Sequence, residues 1–175
     1  MKIALDIDDV LAGYANGVHE AFNVPMIPHN HWNPNESTGL LLLKTDDSGK
    51  VVGYTEEYLD KCEHNKDFWY HLEPISLPVD IPYETCCYIT SSPRNMVDVR
   101  MEWLKKHGFP RLPVIHSKDK AITMNRLRID LLIDDKLPTV EDVRGYAGTD
   151  AIHFKPWYST LREKKSITHL NQYKS

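Results

Sequence analysis

Three carboxylates crowd into four residues at Asp6, Asp8 and Asp9, directly after the apolar run Lys2-Ile3-Ala4-Leu5. Like charges this close repel, so a fold carries them cheaply only on solvent or around a cation. Oxygen ligands of this kind suit Mg²⁺, which takes one or two carboxylates, several waters and a substrate phosphate. Other reactive types follow other apolar runs in the same way. Thr90, Ser91 and Ser92 follow Cys86-Cys87-Tyr88-Ile89; Lys118 and Lys120 lie just beyond Leu112 to His116; Asp134 and Asp135 close Ile129 to Ile133. These types together can transfer a phosphoryl group. An Asp attacks phosphorus to give an aspartyl-phosphate. A second carboxyl protonates the leaving oxygen and later activates water. Hydroxyls and a Lys hold the phosphoryl oxygens while Mg²⁺ neutralises their charge.

Chemistry divided among four segments requires a fold that gathers them. Each apolar run suits a buried parallel strand, and in an α/β sheet with right-handed crossovers the strand ends share one edge. Ala151 to Phe154 reads as a fifth strand. Helical spacing is expected over Val10 to Phe22, ended by Asn23 and Pro25. A second helix runs from Pro93 to about His107 with Val97, Met101 and Leu104 inward, and Gly108 stops it. Further helices are expected over Lys118 to Leu127 and about Thr139 to Arg144. Residues 24–78 break this rhythm. Leu40 to Leu43 suits either a hairpin strand or a helix, and Thr55 is a natural N-cap for Glu56 to His64. The chain therefore reads as a core of residues 1–23 and 79–175 with an inserted cap of residues 24–78. The polar tail from Lys155 reads as a loosely attached helix or a partly disordered end.

Composition bounds the rest. The chain has 175 residues, 41% hydrophobic and 26% charged, the balance of a soluble globular protein. A formal charge of −4 argues against long nucleic acid as the main partner but allows a mononucleotide. Cys62, Cys86 and Cys87 are odd in number, and neighbours on a strand point to opposite faces, so all three are expected to be buried free thiols in a reducing compartment. The first residues lack a signal-peptide pattern and no apolar stretch approaches membrane-spanning length, so a cytoplasmic protein without membrane partners is expected. Homodimer formation is left open.

The ordered set D-I-D-D-V (Asp6 to Val10), a strand-terminal hydroxyl, a Lys and the Asp134-Asp135 pair resembles the four motifs of the haloacid dehalogenase (HAD) superfamily. The resemblance spans the catalytic core. It implies a three-layer Rossmannoid α/β core with sheet order 3-2-1-4-5, Asp6 as nucleophile, Asp8 as acid/base, and Mg²⁺ held among Asp6, Asp8, Asp134 and Asp135. The second Asp of the first motif is typical of the superfamily's phosphatases. A narrower set, DIDDVLAGY, KDFWYHLEPI, YITSSP, SKDKA and DLLIDD, is similar to segments of the 5'(3')-deoxyribonucleotidases. That implies nucleoside monophosphates as substrates, Tyr14 against the base, Lys120 as the catalytic lysine and Lys118 at a substrate-contacting position. Anchoring on Pro93 puts the phosphate-binding hydroxyls on Ser91 and Ser92; anchoring on the strand end puts them on Thr90 and Ser91. Asp9 departs from the Gly usual there, and Leu40 to Tyr54 has no counterpart.

Blander readings stand beside these. Asp134-Asp135 could merely open a loop, Lys118 and Lys120 suit a solvated helix start, and Ser91-Ser92 an N-cap. Phe68, Trp69, Tyr70 and Trp32 could stack on a base, although aromatic clusters more often build core. His29 and His31 have no third metal ligand nearby in the sequence. The alternatives in function are a phosphatase for another small ester or a nucleic-acid 3' end, and a non-catalytic binding module.

Overall fold

The computed structural model describes residues 1–29, 33–48, 51–82, 84–146, 148–160 and 166–173. His31 and Trp32 lie outside the described residues. β1 (Ile3–Leu5) leads into α1 (Tyr14–Ala21), α2 (Pro34–Thr38), the hairpin β2 (Leu43–Thr45) and β3 (Val51–Tyr54), then α3 (Glu56–Tyr58), a π-helix (Leu59–Glu63) and α4 (Lys66–His71). From β4 (Thr85–Thr90) the chain alternates: α5 (Val97–Lys106), β5 (Val114–His116), α6 (Lys120–Leu127), β6 (Leu131–Asp134), α7 (Leu137–Arg144), β7 (Asp150–Phe154) and β8 (Ser166–Ile167).

The sheet has six strands in the order β5-β4-β1-β6-β7-β8, and each neighbouring pair is parallel. Alternation along the strands explains the layers. Ile3, Leu5, Tyr88, Leu131 and Ile133 face a core shared with Trp69, Trp103 and Leu104. Ala4, Ile89 and Leu132 face the opposite core with Ala121, Met124, Val140 and Val143 of α6 and α7. Helices on both faces of a parallel sheet make an α/β, Rossmann-like three-layer arrangement. The residues between β1 and β4 fold back on the first turn: Gly13 N–H bonds the Glu73 carbonyl (2.8 Å) and Ile75 N–H bonds that of Leu11 (2.8 Å). Among the described residues, no helix is long and apolar enough to cross a membrane.

Several expectations need correction. The first helix begins at Tyr14, because Val10 and Leu11 lie in a turn that opens with Asp9 at a left-handed φ of 55° and is closed by the Asp9 N–H on the Ala12 carbonyl at 2.7 Å. The inward face of α5 is Arg100, Trp103 and Leu104, while Met101 is 49% exposed. Cys86 and Cys87 do not alternate: the β1–β4 register slips between Ile3 and Ala4, and the bulge puts both in one core cluster with their Sγ atoms 3.8 Å apart. They are free thiols, with Cys86 only half-buried. Where the tail is described it is tied to the core: β8 extends the sheet beside β7, and Leu170 is buried at the start of a short 3-10 turn, Leu170–Gln172. Leu40 to Leu43 resolves toward the hairpin: Leu43 opens β2 with Leu42 buried beside it, and Leu41 is exposed.

Candidate functional site

The site is built where β1, β4 and β6 end. Asp6 stays in strand register, its N–H bonding the Ile133 carbonyl at 2.9 Å. Its Oδ1 accepts the Ile7 N–H at 2.7 Å and its Oδ2 lies 2.6 Å from Lys120 Nζ. Lys120 opens α6, whose N-cap Asp119 accepts the Ile122 N–H. That start aims the ammonium back into the sheet edge, where it donates to Asp134 Oδ2 at 2.7 Å. Asp134 ends β6 fully buried, and its Oδ1 accepts the Lys136 N–H at 2.9 Å.

Asp6, Asp134 and Asp135 each offer a carboxylate oxygen, and these oxygens lie within 4.8 Å of one another. Burial pushes the Asp6 carboxyl up to about 8; Lys120 opposes the shift, and Asp134 and Asp8 add to it. Burial also holds Asp135 well above the usual carboxylate range, reinforced by Asp9 and Asp134. For Lys120 burial alone would lower the pKa, but Asp134 and Asp6 outweigh it and the net shift is upward. Asp6, Asp8, Asp9, Glu63, Asp134 and Asp135 line the cavity with Lys118, Lys120 and Lys136, while the buried Arg100 pairs with Asp8 from behind, so six carboxyls face four cations. An all-oxygen donor set short of positive charge could hold a hard divalent cation.

Asp8, expected among the metal ligands, stands outside that trio. Its Oδ1 pairs with Arg100 Nη2 at 2.6 Å and its Oδ2 accepts from Thr90 Oγ1 at 3.0 Å. Thr90, the last residue of β4, is fully buried and also meets Ser92 Oγ at 2.9 Å. Ser91 and Ser92 line the cavity; Thr90 supports Asp8 from beneath. Lys118 is exposed at the rim and donates to the Ser91 carbonyl at 2.6 Å. Asp9 is buried and accepts the Ala15 N–H (3.0 Å to Oδ1), so it caps α1 from outside the helix. Burial pushes its carboxyl up to about 7.

α1 and the segment that follows it supply the opposite wall. The cavity holds about 350 Å³ and reaches from the carboxylates to Tyr14, Tyr54, Tyr58, Glu63 and Trp69. Tyr14 stacks on Trp69 (5.3 Å, 20°), meets Phe68 edge-on (5.9 Å), and hydrogen-bonds the Tyr58 hydroxyl. Trp69 lines the cavity although only 1% exposed, while Phe68 is behind it, packed on the core. Tyr158, from the tail, closes the cavity beside Asp9.

Of the residues singled out in the sequence, Asp6, Asp8, Ser91, Ser92, Lys118, Lys120, Asp134 and Asp135 line one cavity with Tyr14 and Trp69 on its far wall, and Thr90 and Phe68 do not line it. Sequence reasoning missed Arg100, Glu63, Tyr54, Tyr58 and Tyr158. Only Arg100 left a signal: Met96, Arg100, Trp103 and Leu104 keep helical spacing, which puts an Arg on an apolar stripe. No protein-family model matches this chain, and no curated protein sequence does.

Proposed function

We propose that the chain is a Mg²⁺-dependent phosphomonoesterase of the HAD type, acting on nucleoside monophosphates in the manner of the 5'(3')-deoxyribonucleotidases. The observation that carries this reading is one cluster: Asp6 and Lys120 in contact at 2.6 Å, Asp134 and Asp135 within reach of the same point, and Asp8 held apart by Arg100. A binding module has no need of both a nucleophile and a separately oriented acid.

Asp6 attacks phosphorus, and the ester oxygen leaves with a proton from Asp8. The Asp8 carboxylate then takes a proton from the water that attacks the aspartyl-phosphate, which frees phosphate and restores both carboxyls. Arg100 and Thr90 fix which way Asp8 faces. Lys120 and the hydroxyls of Ser91 and Ser92 hold phosphoryl oxygens, and the exposed Lys118 draws the anion to the rim. Asp6, Asp134 and Asp135 would hold the cation, which supplies charge neutralisation for the phosphoryl group. The cavity's reach from these groups to Tyr14 and Trp69 supports a substrate with a phosphate at one end and a planar body at the other. Free thiols throughout accord with a reducing, cytoplasmic setting.

The test is phosphate release from nucleoside 5'- and 3'-monophosphates and sugar phosphates, with Mg²⁺ or EDTA. Metal-dependent release that favours deoxynucleotides is expected. Asp6→Asn should reduce it by about 10³-fold or more while the thermal transition persists. Full activity in that variant would sink the assignment of the nucleophile, and release from sugar phosphates alone would remove the nucleotide.

A further inference from the structure

Of the carboxyls that line the cavity, Glu63 alone belongs to the inserted segment, and the phosphoryl chemistry makes no use of it. It closes the π-helix Leu59–Glu63, a wide turn in which His64 N–H bonds the Leu59 carbonyl at 2.7 Å. Turns of this kind re-aim a side chain and gather at functional sites. Trp69 Nε1 donates to the Glu63 carbonyl at 3.2 Å and pins the backbone in place. Glu63 is 9% exposed. The hydrogen bond it accepts comes from Tyr58 OH at 3.5 Å, the outer limit of such a bond, and that hydroxyl is also engaged with Tyr14.

A carboxylate has two acceptor oxygens and no donor, and Glu63 lines the cavity where a ligand's N–H groups can reach it. Burial pushes the Glu63 carboxyl up and Lys118 pulls the other way; N–H donors brought against it favour the ionised form. The surrounding walls are flat: Tyr54 stacks on Tyr58 (5.3 Å, 23°) and Tyr14 on Trp69. A planar base lies readily against aromatic walls, and Glu63 lines the same cavity as an acceptor for its polar edge.

Resting on the nucleotide reading above, we propose that Glu63 selects the base and that the preferred base is guanine. Guanine presents N1–H and N2–H₂ side by side, two donors for two carboxylate oxygens. Thymine and uracil present one N–H between two carbonyl oxygens, which face the carboxylate with like charge. Hypoxanthine keeps N1–H and lacks the amino group, so it isolates the second bond.

Equilibrium dialysis of dGMP, dIMP and dTMP with Mg²⁺ tests this, on Asp6→Asn protein to prevent turnover, with and without Glu63→Gln. Binding of dGMP about tenfold or more tighter than dIMP is expected, with dTMP weakest and the dGMP/dIMP ratio falling toward one in the Glu63→Gln protein. Equal binding of all three nucleotides, tighter binding of dTMP, no binding at all, or a ratio unmoved by Glu63→Gln overturns the proposal. The first comparison needs no change at Glu63, so a variant that fails to fold leaves it standing as a test. Phosphate release by the unmodified chain separates the two readings. Base preference without release keeps the Glu63 assignment and removes the phosphomonoesterase; release without base preference does the reverse.

Discussion

Arg100 shows how one side chain can serve packing and chemistry together. Fully buried on α5, it pairs with Asp8 at 2.6 Å, donates to the Trp69 carbonyl at 3.2 Å, and lies 5.3 and 5.2 Å from the Trp69 and Trp103 rings. Burial pushes its pKa down, and Asp8, Asp6 and Asp9 push it back. A guanidinium can donate to a carboxylate and a carbonyl in its plane while its flat faces pack on aromatic rings; an ammonium cannot. Arg100→Lys should therefore keep the charge yet lower kcat for phosphate release about tenfold, with KM little changed. Arg100→Met should cost about 3 kcal/mol, the low end for a broken buried pair because Asp8 keeps some solvent. Denaturant unfolding reads the second effect and steady-state kinetics the first. A Lys variant with unchanged kcat would leave Arg100 a purely structural residue.

At the scale of elements, α4 brings Trp69 to the cavity and is only six residues long. Such a helix depends on its cap and its packing. Asn65 accepts the Asp67 and Phe68 N–H groups at 3.0 and 3.2 Å. Asn65→Ala should cost about 1 kcal/mol and lower Tm by about 2–4 °C, read by thermal unfolding. An unchanged Tm would mean that Trp69 and Leu72, not the cap, hold the helix. This element also marks where the sequence stopped being legible. β1, β4 and β6 could be read because each apolar run ends abruptly in polar residues that the sheet edge exposes. The inner face of α5 could be read only in part: Leu104 declares itself, whereas Arg100 keeps the helical spacing of the stripe but carries a charge whose partner, Asp8, lies across the fold. Glu63 was hidden for a related reason. A local pattern places Glu56 to His64 on a helix, but a π-turn decides which way its last acid points. β8 has no local signal at all, since pairing with β7 creates it.

For the molecule as a whole, the site lies where three parts of the chain meet. The strand ends supply the aspartates, α1 and the segment that follows it supply the aromatic wall and Glu63, and the tail ties them together: His29 N–H bonds the Tyr158 carbonyl at 2.8 Å, and Tyr158 closes the cavity beside Asp9. This junction concentrates negative charge out of water, which links global stability to pH and to metal. Asp6 and Asp9 have folded values of about 8 and about 7 against an ordinary 3.8, so the folded chain holds protons that the unfolded chain has released. The stability they contribute is complete below about pH 4 and is lost as pH rises through about 7 to 8. With EDTA present, Tm should therefore fall between about pH 6 and pH 8. A divalent cation competes with those protons, so the rise in Tm on adding excess Mg²⁺ should be larger near pH 8 than near pH 6. Asp6→Asn removes one acid from the cluster and should flatten both trends. Thermal scans with EDTA and with Mg²⁺ across that range decide the matter. Equal Mg²⁺ increments at both ends would mean that the Asp6, Asp134 and Asp135 oxygens are not where the ion binds.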